Sequence, residues 1–492
     1  MKKILLLFIV LLTVGLLACV SAETNPEDTG IDSADNTDIA SVYPDKLPAD
    51  LNLDGRNVKI FIGDYNNALM PDMYSEETTG NRLNDAVFNT ISAVQERLNV
   101  ELDYAWEEYT YDKLGSFTTK IISTILAGEN AFDILFDLSN YATQMIEGEY
   151  FINLTETKYI DAEAPYYNQT IIENMPDDYI HFLVGDFSLV NTKSSYCVYF
   201  NDTLYKSLGL TENLYDTVDS GKWTHAKLVG LIKDSYADLN GNNTKDFGDR
   251  FGLTFGDTNK YLGFQAAYDC MIFRKVNGEY KFTYDSERVS DAITLLVSLV
   301  NENGVVLPGN ANNSNFPDFQ VPSGGGNYAN KVFIEGRSLF SCGLIADAET
   351  IVPNIDFSYG LLPYPKFDEN QSTYMNTLQR NCYALIPITV SNEEAVSAVF
   401  EALASESSVR IIPEYCEVSL KVRYSQDNDV SRMFDLVRQS VVFDPGVIYG
   451  IDIGSPRDQF RTMMINNTSN WASYIASVRD SIIKKMNSIT EK

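Results

Sequence analysis

The chain has 492 residues, 45% of them hydrophobic and 12% aromatic, long enough for about three domains and apolar enough for large cores. Its 68 acidic residues against 37 basic ones leave a formal charge of −31. A surface this acidic repels phosphate backbones and anionic lipid, which argues against nucleic acid as a partner and against lying flat on a membrane.

Lys2 and Lys3 open the chain, and an apolar run from Ile4 to Leu17 follows, broken only by Thr13 and Gly15. This is the pattern of an export signal over residues 1–18. The run falls short of the roughly 20 apolar residues that a membrane span needs. Leu16-Leu17-Ala18-Cys19 resembles the lipobox of bacterial lipoproteins. On that resemblance Cys19 becomes the mature N-terminus and carries lipid, whose two acyl chains anchor stably at the extracellular face of the membrane. Val20-Ser21-Ala22 leaves an ordinary cleaved signal as the alternative. Residues 19–52 are rich in Asp, Asn, Thr, Ser and Pro and read as a lipidated Cys followed by a disordered acidic tether.

Order is expected from about Asn57. Val58–Ile62 reads as a strand, and a polar loop runs from Gly63 to Gly80. Leu83, Val87, Ile91, Val94 and Leu98 recur at helical spacing, and Val100–Tyr104 alternates as a half-buried strand does. Ile121, Ile122 and Ile125 predict a helix ending at Gly128; Phe132–Phe136 predicts a strand and Tyr141–Glu147 a helix. This alternation predicts a mostly parallel sheet covered by helices. Further on, strands are predicted at Tyr196–Phe200, Leu339–Leu344 and Phe357–Leu362. Helices are predicted at Thr224–Ser235 (N-capped by Thr224), Val289–Val300, Glu393–Ala404 and Trp471–Met486. Beyond Cys19, the cysteines Cys197, Cys270, Cys342, Cys382 and Cys416 are widely spaced, form no CxxC and read as small buried hydrophobes. With only His181 and His225, a His-rich metal site is excluded, and no nucleophile motif flanks either one.

Several segments together resemble bacterial extracellular solute-binding proteins (family 1 type) of ABC sugar importers. The carriers are Gly80-Asn81-Arg82-Leu83-Asn84-Asp85-Ala86, Ala131-Phe132-Asp133-Ile134-Leu135 followed by Gly148 and Asn153-Leu154-Thr155, and Val184-Gly185-Asp186. Tyr196-Cys197-Val198-Tyr199-Phe200-Asn201, Gly221-Lys222-Trp223-Thr224 and Leu361-Leu362-Pro363-Tyr364-Pro365-Lys366 complete the set. His181-Phe182 stands where a Leu-Tyr or similar pair is usual. The resemblance implies an α/β, two-lobed periplasmic-binding-protein-like fold (type II), with mixed sheets flanked by helices and ligand in the interlobe cleft. It places lobe one at about 53–190 plus 343–383, lobe two at about 195–340 plus 388–465, and a C-terminal helix at 466–492. It implies a small-molecule solute, a sugar or oligosaccharide, delivered without catalysis to an ABC transporter permease. A secreted glycan-active enzyme using paired carboxylates and a sensor or adhesion lipoprotein are the alternatives.

Two sets of residues are site candidates. Asp238, Asn240, Asn242, Thr244, Asp246 and Asp249 place oxygens at positions 1, 3, 5, 7, 9 and 12 of a calcium-type loop. Asn243 stands where Gly is usual, and Asp249 replaces the usual bidentate Glu. The loop can hold a structural Ca²⁺ or be an Asx-rich surface turn. Cleft candidates follow strand ends: Asp64, Tyr65 and Asn66; Asp137, Ser139 and Asn140; and Arg380 with Asn381 before the Cys382–Ile386 strand. Trp223 is a further candidate, with core packing as its alternative. Tyr rings suit sugars, offering an apolar face and a polar edge.

Overall fold

In the computed structural model, residues 44–138, 145, 148–175, 179–243, 245, 248–302, 304–306, 328–420 and 428–490 are described. Cys19, most of the tether and most of the expected Tyr141–Glu147 helix lie outside them. The described chain is already packed before residue 52, where the tether was expected to end. Asp45 and Leu47 are buried, and Arg97 grips Asp45 through both terminal nitrogens at 2.7 Å.

Strands β1 (Arg56–Tyr65), β2 (Val100–Tyr109) and β3 (Ile134–Asp137) begin a four-stranded sheet in which β1 pairs in parallel with both others. After them come β4 (Tyr196–Asn201), β5 (Phe251–Phe255), a hairpin of β6 (Phe273–Val276) and β7 (Glu279–Phe282), then β8 (Val305–Val306), β9 (Ser338–Leu344) and β10 (Tyr359–Leu362). The last strand, β11 (Tyr383–Leu385), returns to the first sheet and lies antiparallel on β3. The second sheet runs β10-β4-β9-β5-β8, with parallel and antiparallel pairs mixed. β3, β4 and β5 are buried along their whole length, as strands covered on both faces must be.

Helix α1 (Arg82–Leu98) shows how closely the pattern predicts packing. Asn81 caps it by accepting the N–H groups of Leu83 and Asn84. Val87, Ile91, Val94 and Leu98 are buried on one face, each worth roughly 1.5–3 kcal/mol of transfer free energy. Asn99 then turns the chain at φ 48° straight into β2, a left-handed position that Asn tolerates. α2 (Leu114–Leu126) likewise ends before Gly128 at φ 71°.

Further helices include α3 (Leu189–Lys193), α4 (His225–Ile232, capped by Thr224), α5 (Tyr261–Ala267) and α6 (Glu287–Val300). α7 (Glu393–Leu420) runs well past the expected Ala404 and carries Pro413 inside it. Burial of Ile411, Ile412, Tyr415 and Cys416 gives the extended part its own apolar contact. Then follow α8 (Asn428–Gln439), α9 (Pro456–Ile465) and α10 (Trp471–Thr490). Trp471 pins α10: it is fully buried, and its indole N–H donates to the Tyr284 carbonyl at 2.9 Å.

The sheets redraw the expected lobes. Residues 343–383 were expected in lobe one, but β10 pairs with β4 in the second sheet. Of residues 388–465, expected in lobe two, α7 packs along α1 against the first sheet, whereas α8 and α9 pack on second-lobe elements. Sequence order hides this because strand partners are chosen by side-chain fit and not by proximity along the chain. Among the described residues, two of the crossings between the lobes lie side by side. Ser195 bridges antiparallel to Leu378, and the Gln379 N–H donates to the Ser194 carbonyl at 2.9 Å. Asn191 clamps the second crossing, its carboxamide oxygen accepting from Cys382 N at 2.7 Å while its NH₂ donates to the Cys382 carbonyl at 3.2 Å.

Candidate functional site

The C-terminal ends of β1, β2 and β3 gather at one edge of the first sheet, and β11 starts beside them. Register alone sets Tyr65 opposite Tyr109, Gly63 opposite Asp137, and Asp137 opposite Tyr383. The expected cleft residues Tyr65, Asp137, Arg380 and Asn381 are therefore brought together. Tyr65 meets Tyr109 edge-on with ring centroids 5.5 Å apart, and the Arg380 guanidinium lies 5.5 Å from the Tyr65 ring centroid. Asn381 donates to the Tyr383 hydroxyl at 3.3 Å, while its own buried oxygen has no hydrogen-bond partner.

Two of these residues work behind the rim. Asp137 is fully buried, accepts from the Tyr109 hydroxyl at 2.5 Å, and has its other oxygen unpartnered. Burial pushes its carboxyl up to about 7, opposed by the hydrogen bonds from Tyr109 and the Leu138 amide. Asp64 is also buried and spends one oxygen on the N–H groups of Leu69 and Met70, at 2.8 and 3.3 Å. It shapes the loop in which Asn66 and Asn67 both take left-handed conformations. Asn66 itself is exposed. Ser139 and Asn140 lie outside the described residues.

Trp223 does not face the cleft. It is wholly buried in the second lobe, donates its indole N–H to the Pro363 carbonyl at 2.8 Å and packs 5.7 Å from Phe340. The segments around Trp223 and Lys366, far apart in sequence, form one parallel bridge between Thr224 and Lys366.

Gln379 and Arg380 are consecutive, and they reach opposite lobes. Arg380 stacks on Tyr65, whereas Gln379 accepts from Lys260 Nζ at 2.9 Å. Lys260 is 3% exposed, pairs also with Asp257, and sits 5.9 Å from the Tyr196 ring centroid. This locates the lobe junction. Tyr109, Tyr383, Tyr196, Lys260 and Gln379 were not anticipated from sequence. Tyr109 carried a signal, since it ends the strand opposite Tyr65. The others become neighbours only through the crossings. The junction offers aromatic faces, amide groups and cations, a set suited to holding a polyhydroxy solute by stacking and hydrogen bonds. The two histidines serve packing: His181 Nδ1 is 2.9 Å from the Phe151 carbonyl and His225 Nδ1 is 2.6 Å from the Tyr268 hydroxyl. The five described cysteines are free and buried.

In the calcium-type loop, Gly241 and Asn243 take left-handed conformations at φ 71° and 58°. Asp238 accepts the N–H groups of Gly241 and Asn243 at 2.7 and 2.8 Å, so the chain wraps around its carboxylate. Asp249 is fully buried beneath, accepting from Leu239 N at 3.3 Å and from the Tyr236 hydroxyl at 2.9 Å. The first and twelfth positions are thus neighbours. Asn240 accepts from Asn242 N at 3.0 Å, and both residues are exposed. Thr244 and Asp246 lie outside the described residues, and among the described ones no group of three or more His, Cys, Asp or Glu converges.

No protein-family model matches the sequence, and no curated protein does. The fold has clear relatives among solved structures. A cyclo/maltodextrin-binding protein complexed with maltotetraose superposes with a TM-score of 0.56 at 10% identity, over 87% of this chain and 97% of that one. An ABC substrate-binding protein from Listeria monocytogenes in complex with cycloalternan gives 0.53 at 14% identity, over 88% and 100%. The cyclic alpha-maltosyl-1,6-maltose binding protein from Arthrobacter globiformis gives 0.53 at 11% identity, over 88% and 98%. The chain therefore has the two-lobed α/β fold of periplasmic-binding-type proteins.

Proposed function

We propose that this protein captures a sugar or oligosaccharide at the lobe junction and delivers it to an ABC transporter permease. In this reading Cys19 carries a lipid anchor that holds it at the extracellular face of the membrane, and the 238–249 loop binds a structural Ca²⁺. The observation that carries the reading is the junction itself. Consecutive residues Gln379 and Arg380 contact one lobe each, beside the edge-to-face Tyr65–Tyr109 pair, in a fold whose relatives hold oligosaccharides. Lobes joined by crossing segments can close on a solute like hinged jaws.

The test is a thermal-shift screen of an oligosaccharide library, since a solute that binds only the folded state raises the melting temperature. A hit is then followed by X-ray scattering and by product analysis. The expected result is binding, a smaller radius of gyration and no turnover. Tyr65→Ala should weaken binding about tenfold, the equivalent of one lost stacking contact, and leave the fold intact. Hydrolysis of the bound sugar would establish an enzyme instead.

A further inference from the structure

Helix α7 does not stay in one lobe. Its first half is bound to lobe one. The Phe400 ring centroid lies 6.3 Å from that of Phe136 in β3, and Glu401 accepts from the hydroxyls of Tyr166 and Tyr167. Ile411, two residues before Pro413, lines a small cavity with Val87 and Ile91 of α1, and Glu414 pairs with Arg82 at 2.6 Å. The residues that follow reach the other lobe. The Tyr415 hydroxyl donates at 3.1 Å to Glu349, on the short helix Ala348–Ile351 shortly after β9. Cys416 Sγ lies 3.8 Å from Ser431 Oγ on α8, which packs on β10. α7 is therefore itself a crossing between the lobes, and the change of lobe falls immediately after Pro413.

The helix is weakest at this same place. Pro413 has no N–H, so the Val409 carbonyl lacks its donor four residues on, and the proline ring crowds that carbonyl. In the turn before, Ser408 bonds its hydroxyl back to the Ser405 carbonyl at 2.7 Å, a competing contact of the kind that bends helices. Val409 is 48% exposed, so water can reach the opened turn. On both sides of it the helix is held firmly. Ile411 and Ile412 are buried. Beyond Pro413, the Lys193 ammonium grips both oxygens of Asp72 at 2.9 and 2.8 Å, reaches Glu349 at 3.0 Å, and lies 5.2 Å from the Tyr415 ring centroid. Lys193 immediately precedes the Ser194–Ser195 crossing, so that crossing and the far part of α7 meet at one charged node. A rod fixed in both lobes resists any change in their angle unless it contains a joint, and Pro is where helices bend sharply.

We propose that Pro413 is the joint of α7, the point about which this helix bends when the lobes change their angle. The proposal rests on the two-lobed fold and not on which solute is captured, and its test uses the empty protein. The full chain is expressed with Cys19→Ser, and nitroxide labels are placed on Lys113→Cys in lobe one and Lys206→Cys in lobe two, both exposed positions. The five described native cysteines are buried and do not compete for label. Pulsed electron resonance then gives the distribution of label separations, and hydrogen exchange reports on the amides of residues 410–417. Pro413→Ala returns an N–H to the Val409 carbonyl. It should slow exchange in that segment at least about tenfold, the worth of one regained hydrogen bond, and narrow the distribution of separations. Pro413→Gly, which also regains the donor but leaves a pliable helix, should fall between the two. A distribution unchanged in Pro413→Ala while exchange slows would overturn the joint, because the helix would be mended and the lobes indifferent. Exchange unchanged in Pro413→Ala would overturn it as well, since the open turn would then lie elsewhere. Neither result bears on whether a sugar binds, which the thermal-shift screen decides separately.

Discussion

Tyr109 donates its hydroxyl hydrogen to Asp137 across 2.5 Å, and Gly63 lies directly against the pair. A Cβ on Gly63 would come within 2.7 Å of Asp137 Oδ1 and 2.8 Å of the Phe117 ring. Both neighbours are buried and cannot withdraw. Gly63→Ala should therefore destabilise the protein by about 1–3 kcal/mol, the usual cost of overpacking a tight core. Urea unfolding measures this, and an unchanged midpoint would show that the pair is looser than described.

Lys193 ties the lobes together. Its ammonium lies 2.8 Å from Asp72 before α1 and 3.0 Å from Glu349 in the second lobe, and Tyr415 of α7 donates to the same Glu349. Asp72 is largely buried, so removing its partner leaves a carboxylate with little water. Lys193→Met should cost about 2–4 kcal/mol, as breaking a mostly buried pair does, whereas Lys193→Arg should retain most of it. A loss below about 0.5 kcal/mol in denaturant unfolding would class the pair with ordinary surface bridges.

Stability should fall as pH rises from 6 to 8. Burial pushes the carboxyls of Glu401 and Asp137 up to about 7 and that of Asp444 to about 6, above their ordinary values of 4.5, 3.8 and 3.8. In that window the folded state binds more protons than the unfolded chain, so the slope of stability against pH is negative. His225, lowered by burial to about 4, and His181 act in the opposite sense, but only below about 6.5, where the unfolded chain protonates them. Glu401 accepts from the hydroxyls of Tyr166 and Tyr167, so Glu401→Gln keeps one acceptor while removing the charge. Melting temperatures of wild type and variant at pH 6 and 8 check this: the variant should show the flatter profile, and parallel profiles would remove Glu401 from the account.

Calcium should raise the melting temperature, and Asp238→Ala should abolish the response, because Asp238 holds the turn around which the other oxygens are arranged. Calorimetry showing no uptake at millimolar calcium would leave the loop as an Asx turn.

Cys19→Ser should release the protein from membranes or block its processing. Among the described residues no helix is long and apolar enough to cross a bilayer. A variant that still sediments with membranes at high salt would refute the lipid anchor.

What could be read from the sequence follows local physics. The α1 and α6 stripes, the Thr224 cap and the strands β1, β4 and β9 are set by periodicity and capping over a few neighbouring residues. That Tyr65, Asp137, Arg380 and Asn381 come together follows from their places at strand ends along one edge of the first sheet. What the pattern could not decide is pairing. That β10 joins β4, that α7 covers the first sheet, and that Trp223 packs inward depend on contacts between segments more than a hundred residues apart.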